Sequence, residues 1–175
     1  DVNYTFMGYK DRDIPEHLGS TTRDILRFAN GSVMSLKKEV SLDSINHILL
    51  VTDFQNTSVR AMENLKLIKK ITKAEMTLLY VNTRENWLST KETKRAMKQF
   101  CEIHDIQQAN LEIINDSNVV SGTLNGLLNN PYDLVALKLN ALSDEKKFND
   151  LHLMGEMLLE NTNTPILTYV HNHSY

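Results

Sequence analysis

The sequence has 175 residues, 41% of them hydrophobic and 23% charged, with 19 basic and 22 acidic side chains and a formal net charge of −3. These values are ordinary for one globular domain, and no apolar run approaches the roughly 20 residues that span a bilayer. Because basic side chains are mixed among acidic ones, we expect neither a membrane nor a nucleic acid as partner.

The single cysteine, Cys101, cannot form an internal disulfide, and it falls among apolar residues at helical spacing. We interpret it as a core thiol in a reducing compartment, which favours the cytoplasm. The chain opens on Asp1 without a signal-peptide pattern or an initiator methionine, as a fragment of a longer protein would.

The first predicted unit is a strand, a helix and a second strand. The first strand covers Val2–Met7 and ends at Gly8, because aromatic and β-favouring residues alternate there and then stop. A helix is predicted to begin near Ser20, where hydroxyl side chains can cap it. The short strand Val33–Leu36 follows, and the polar stretch 37–44 is the best candidate for a linker.

The stretch Ile48–Val51 predicts the central strand of the chain. Four consecutive aliphatic residues are typical of a parallel strand that is buried on both faces. Asp53 follows at once, and ligands in open α/β sheets bind outside the carboxyl ends of the strands. Asp53 is therefore the first candidate site residue, although a carboxylate beside a helix start is also a routine capping partner, and we favour that second interpretation.

Helices and strands then alternate regularly. The central helix is predicted to end near Thr72, and later helices are predicted at Thr90–His104, Val119–Leu128 and around 151–158. The remaining strands are predicted at Met76–Val81, Leu111–Ile114, Asp133–Leu139 and Ile166–Val170. This alternation predicts a doubly wound α/β fold with a five-stranded parallel sheet in the order 3-2-1-4-5 and helices on both faces.

The chain also contains an internal repeat. The matched segments are Tyr4–Met7 with Leu134–Leu137, Ile25–Leu26 with Leu158–Leu159, and Val33–Leu36 with Ile166–Tyr169. Residue 4 thus matches residue 134, and residue 33 matches residue 166. We therefore interpret residues 1–40 as the last strand-helix-strand piece of a first repeat, and residues 41–175 as a complete second repeat.

Four segments in this order resemble the universal stress protein family. They are Ile48–Phe54, Met76–Val81, Tyr132–Val135 and Thr164–Leu167, and together they span residues 45–170. The resemblance implies an adenine-nucleotide α-hydrolase-like fold that dimerises through its last strand. Because Phe6-Met7-Gly8 and Leu18-Gly19-Ser20 are similar to the late signature of the same family, a tandem protein is implied.

The resemblance also implies where a nucleotide would bind. Nucleotide-binding members carry an acidic residue after the first strand, a valine at the end of the second and a signature Gly-x2-Gly-x9-Gly-Ser/Thr after the fourth. Asp53 and Val81 match the first two features. Lys138 and Ala141 occupy the first two glycine positions, and His152-Leu153 occupy the Gly-Ser/Thr pair with ten residues instead of nine before them. Side chains therefore stand where backbone amides would approach phosphate groups.

The first repeat keeps a different part of the signature. Gly8 and Gly19-Ser20 match it, whereas Asp11 replaces the middle glycine, and the loop is two residues shorter. We therefore expect a degenerate nucleotide site and no bound cofactor in either repeat.

We thus expect a non-catalytic module that acts in stress response through dimerisation and partner binding. The alternative is an ATP-binding switch or slow ATPase, in which Lys138 binds phosphate as a point charge. A solvated lysine at a strand end is the favoured interpretation of that residue. The sequence holds no catalytic triad, phosphate loop or metal cluster, and His171 and His173 lie in a polar tail, so we predict no metal site.

The final strands of the two repeats predict how the halves associate. Both are short and apolar, and an unpaired apolar edge is a template for pairing. We expect them to be edge strands that pair antiparallel, either within a tandem pseudo-dimer or between chains of a homodimer. The predicted contact residues are Val33, Leu36, Ile166, Thr168 and Val170.

Overall fold

The computed structural model describes residues 4–8, 20–28, 31–55, 59–140 and 154–171. The strands are β1 Tyr4–Gly8, β2 Ser32–Leu36, β3 His47–Val51, β4 Glu75–Asn82, β5 Ala109–Asn115, β6 Leu134–Asn140 and β7 Ile166–His171. The helices are α1 Ser20–Phe28, α2 Val59–Thr72, α3 Thr90–His104 and α4 Val119–Asn129. Residues 154–161 are also helical and are called α5. A short 3-10 turn covers Leu42–Ser44.

These seven strands form one sheet in the order β1-β2-β7-β6-β3-β4-β5. The predicted sheet is therefore too small: two further strands join it, and the contact of β2 with β7 is antiparallel. The five strands of the second repeat lie side by side as β5-β4-β3-β6-β7, all in parallel pairs, which is the order 3-2-1-4-5 predicted for that repeat. The difference arises because β1 and β2 extend the sheet of the same chain.

The opening strand of the second repeat, β3, is an interior strand. It pairs in parallel with β4 on one side and β6 on the other. Ile48, Leu49 and Leu50 have no exposed surface, as expected for a strand covered on both faces. Among the described strands, only β1 and β5 lie at an edge of the sheet.

Helices cover the two faces of the sheet separately. One apolar cluster joins Leu50 and Leu78 of the sheet to Leu65 of α2 and Phe100 of α3. The other cluster lies on the opposite face and contains Leu26 of α1, Leu158 and Leu159 of α5, and partly buried residues of α4. The core thus has two layers, one on each side of the strands, as in other doubly wound folds.

The final strands of the two repeats pair antiparallel within the chain. Val33 lies opposite Thr168 and Met34 opposite Leu167, which confirms the predicted antiparallel contact. They are not edge strands, however, because β2 also pairs with β1 and β7 also pairs with β6. The prediction that the two strands are edge strands is therefore wrong for the sheet of the whole chain.

The strand registers follow the sequence repeat. Thr5 pairs with Val33 in the contact of β1 with β2, and Val135 pairs with Ile166 in the contact of β6 with β7. The repeat alignment matches Thr5 with Val135 and Val33 with Ile166, so equivalent residues are paired in the same way. Each of the two strand pairs is joined by a helix on the same face of the sheet.

Candidate functional site

The candidate site lies at the carboxyl ends of β3, β4 and β6. These strands are parallel, so their carboxyl ends point the same way, and ligands of open α/β sheets bind outside those ends. The Thr52 N–H donates to the Leu79 carbonyl at 3.0 Å, which extends the ladder by one residue beyond β3. The Thr52 hydroxyl then accepts from the Phe54 N–H at 2.9 Å, and Asp53 Oδ1 accepts from the Gln55 N–H at 2.9 Å. Two side-chain oxygens therefore shape the turn that leaves the strand.

Phe54 anchors this turn in the core. Its φ is 62°, in the left-handed region that a bulky residue rarely adopts. The ring stacks on Tyr80 at a centroid distance of 5.6 Å and meets the edge of Phe100 at 5.7 Å. Aromatic packing therefore holds the backbone in a conformation that is unfavourable by itself.

Asp53 is exposed, at the outer side of the same turn. Its negative charge contributes, after burial, to raising the pKa of the Tyr80 hydroxyl. The pKa of the Tyr169 hydroxyl is also raised, mainly by complete burial and secondarily by Asp53. Asp53 is an acidic group at this end of the sheet, and its hydrogen bond to Gln55 shapes the turn. The helix start that it was predicted to cap involves residues 56–58, which lie outside the described ranges.

Lys138 lies in β6, two residues before its end and next to the turn. Its Nζ donates to the Gln55 carbonyl at 3.1 Å, and the side chain is half-buried. This hydrogen bond is itself exposed to solvent, so Lys138 combines a solvated position with one contact to the backbone of the turn. The structure brings Asp53 and Lys138 to one loop, where both are hydrogen-bonded to the backbone of Gln55.

Val81, the third predicted contact of the second repeat, is buried beneath α4. A Cβ atom added to Gly122 would lie 2.5 Å from Val81 Cγ1, so helix and strand are in close approach. The Val81 side chain therefore belongs to the core and does not line a surface crevice.

Replacing Gly122 by alanine is expected to lower the free energy of unfolding by about 1 kcal/mol. Overpacking costs about 1–3 kcal/mol, and the stiff valine side chain has little room to move, whereas alanine gains only about 1 kcal/mol in helix propensity. Urea unfolding followed by circular dichroism checks this. Gly126→Ala is the matched control, because its added Cβ would lie 3.2 Å from Ile114 Cδ1. Equal stability of the two variants would contradict the close approach.

Sequence reasoning missed an asparagine network at the ends of β4 and β5. Asn82 is buried, and its Nδ2 donates to the Leu88 carbonyl and to Asn115 Oδ1, each at 3.1 Å. Asn82 Oδ1 accepts from the Leu88 N–H at 2.9 Å. The Tyr80 hydroxyl donates to the Asn86 carbonyl at 2.6 Å, so the loop 83–88 is held at two points. The available signal was an asparagine directly after each of two neighbouring predicted strands.

The remaining predicted site residues belong mostly to parts of the chain outside the described ranges. This applies to Asp11, Gly19, Ala141, His152 and Leu153.

Gly8 ends β1 and Ser20 begins α1, as the first-repeat signature implies. A Cβ added to Gly8 would meet no atom of the described residues within 4 Å, so packing does not require a glycine there.

A groove lies at the opposite, amino-terminal ends of the strands. It is open, has a volume of about 510 Å³, and is lined by His47, Thr77, Glu112 and Tyr132, among others. The Tyr132 hydroxyl donates to Glu112 Oε2 at 2.8 Å, and burial together with this carboxylate raises the pKa of Tyr132 to about 12. Because ligands of such sheets bind at the carboxyl ends of the strands, we do not assign the site to this groove.

Neither a metal cluster nor a membrane span is found within the described ranges. No group of three or more His, Cys, Asp or Glu side chains there is arranged to hold a metal ion. The helices of the same ranges are all too short or too polar to cross a bilayer. His173 lies outside these ranges.

Comparisons with known proteins identify the fold. No family model and no curated protein matches the sequence. A universal stress protein from Archaeoglobus fulgidus has a similar structure, with a TM-score of 0.71 and 16% identity over 97% of this chain and 62% of that one. A protein described as a universal stress protein from Pseudomonas aeruginosa has a TM-score of 0.64 and 14% identity, over 94% of this chain and 63% of that one. A universal stress protein in complex with cAMP has a TM-score of 0.56 and 12% identity, over 73% of this chain and 98% of that one. The chain thus spans about three fifths of the length of the first two.

Proposed function

We propose that this chain, which has the fold of the universal stress proteins, is a non-catalytic stress-response module of that type. It acts through the association of its two repeats and through partner binding, and its nucleotide site is degenerate. The partial first repeat and the complete second repeat form a tandem pseudo-dimer.

One observation carries the degenerate-site proposal: Asp53 and Lys138 both hold the turn after β3. Asp53 Oδ1 accepts from the Gln55 N–H, and Lys138 Nζ donates to the Gln55 carbonyl. A phosphate site at this edge needs bare backbone amides, and a lysine side chain now stands at the first glycine position. The charged groups that would contact a nucleotide instead stabilise their own loop.

Nucleotide binding is the second candidate function. Asp53 is exposed at the edge where ligands of this fold class bind, and one protein of similar structure is described in complex with cAMP. In this alternative the protein is an ATP-binding switch or slow ATPase, and Lys138 leaves the Gln55 carbonyl to bind phosphate as a point charge.

Titrating the purified chain with ATP and Mg²⁺ in a calorimeter distinguishes the two candidates. We expect no saturable binding below about 1 mM, which corresponds to a binding free energy weaker than about −4 kcal/mol. Binding in the micromolar range that Asp53→Ala abolishes would contradict the proposal. Asp43→Ala is the matched control, because Asp43 is also exposed but lies in the 3-10 turn that precedes β3.

Location in the cytoplasm completes the proposal. Cys101 packs half-buried on α3, and burial, followed by the nearby Glu102, raises the pKa of its thiol. A raised pKa keeps the thiol protonated and unreactive, which suits a structural cysteine in a reducing compartment.

A further inference from the structure

The contact of β2 with β7 has an approximate two-fold axis at its centre. The repeat matches Val33 with Ile166, Met34 with Leu167 and Ser35 with Thr168. In the structure Met34 pairs with Leu167, while Val33 pairs with Thr168 and Ser35 with Ile166. Exchanging the two repeats therefore reproduces the same set of pairs, which is the property of an isologous interface.

An ion pair crosses the same interface one layer away from the sheet. Arg23 of α1 has its Nε 3.2 Å from Glu156 Oε2 of α5. The exposed fractions of the two side chains are 32% and 8%. Arg23 Nε forms no hydrogen bond within the described residues although it is buried, so this contact is one of charge and not of a well-directed N–H.

The two charges occupy equivalent positions of the two repeats. The alignment that matches Ile25–Leu26 with Leu158–Leu159 also matches residue 23 with residue 156. A position close to an approximate two-fold axis meets its own equivalent across that axis. The chain places a positive charge on one side and a negative charge on the other.

We infer that Arg23 and Glu156 select the first repeat as the partner of β7 and exclude a second copy of β7. If two chains paired through β7 in the same geometry, each Glu156 would face the Glu156 of the other chain. That pairing would bring two largely buried carboxylates together, whereas the pairing within one chain sets a carboxylate against a guanidinium. The inference rests on the tandem pseudo-dimer of the proposed function and is independent of nucleotide binding.

A charge-reversal cycle on the full chain tests the ion pair. Arg23→Glu and Glu156→Arg each place like charges together, so each should lower the equilibrium constant of folding at least tenfold. The double variant, with both reversals, restores opposite charges and should recover most of the loss. Urea unfolding measures all four chains. A double variant no more stable than the single ones would show that the two side chains are not coupled, and would overturn the inference.

Sedimentation equilibrium tests the choice of partner. Arg23→Glu alone weakens the pairing within the chain and keeps Glu156, so it should remain monomeric. Adding Glu156→Gln removes the repulsion between two copies, and this double variant should dimerise at least tenfold more tightly. Equal self-association of the two variants, including none in either, would overturn selection by Glu156. A stable dimer of the parent chain that these substitutions leave unchanged would contradict the pseudo-dimer itself.

Discussion

Replacing Thr168 by proline is expected to unfold most of the chain, with a loss of about 3 kcal/mol or more in the free energy of unfolding. Thr168 is 1% exposed and pairs with Leu137 of β6 on one side and Val33 of β2 on the other. Proline removes a backbone donor and is found in sheets almost only on edge strands. The sequence alone predicts that this substitution weakens association far more than the interior of the domain, and the interior position of β7 reverses that expectation.

Circular dichroism during urea unfolding measures this loss. Thr168→Val is the matched control, because it keeps the backbone donor and a branched side chain of similar size. It loses only the long hydrogen bond of the hydroxyl to the Val33 carbonyl, at 3.4 Å. If the proline variant were as stable as the valine variant, the pairing of β7 on both sides would be wrong.

Restoring the glycine signature is expected to create measurable ATP binding. The substitutions are Lys138→Gly, Ala141→Gly, His152→Gly and Leu153→Ser. They remove the side chains at the glycine positions and add a hydroxyl, so that backbone amides can approach phosphate groups. We expect the affinity for ATP with Mg²⁺ to rise at least tenfold, or about 1.4 kcal/mol, in the same calorimetric titration.

The matched control carries alanine at positions 138, 152 and 153 and keeps Ala141. It removes the bulky side chains, including the contact of Lys138 with the Gln55 carbonyl, without giving the backbone the freedom of glycine. If both variants gained the same affinity, the bulk of the side chains at positions 138, 152 and 153 would explain the loss of binding, and the missing glycines would not. No rise in either would show that missing glycines do not explain the degenerate site.

The helices and strands could be predicted well from local patterns, whereas their partners could not. The predicted bounds of α3, Thr90–His104, are confirmed, because Ser89 and Glu92 form a capping box at its start and Asp105 ends it in a left-handed conformation. The antiparallel pairing of the two final strands was predicted, but its consequence for the sheet was not. Strand pairing joins residues 135 positions apart, and a local pattern cannot tell whether the partner lies in the same chain.

The candidate site shows the same limit. The positions of Asp53 and Lys138 near the ends of β3 and β6 follow from strand patterns and are found in the structure. Their contacts with Gln55, and the network of Asn82 with Asn115, depend on the path of the loops. A loop path is fixed by tertiary packing, here by the ring of Phe54, and sequence spacing does not specify it.

The antiparallel contact of β2 with β7 also determines how binding at one repeat could affect binding at the other. β1 is parallel to β2, β7 is parallel to β6, and β2 is antiparallel to β7. The carboxyl end of β1 at Gly8 therefore points to the opposite side of the sheet from the carboxyl end of β6, near Lys138. The two ends are separated by the length of a strand, about 20 Å for six residues. A molecule bound at one end cannot touch one bound at the other. Cooperativity between two such binding events would therefore require a structural change within the sheet. A shift of β2 against β7 is the smallest such change, because these strands form the contact between the repeats.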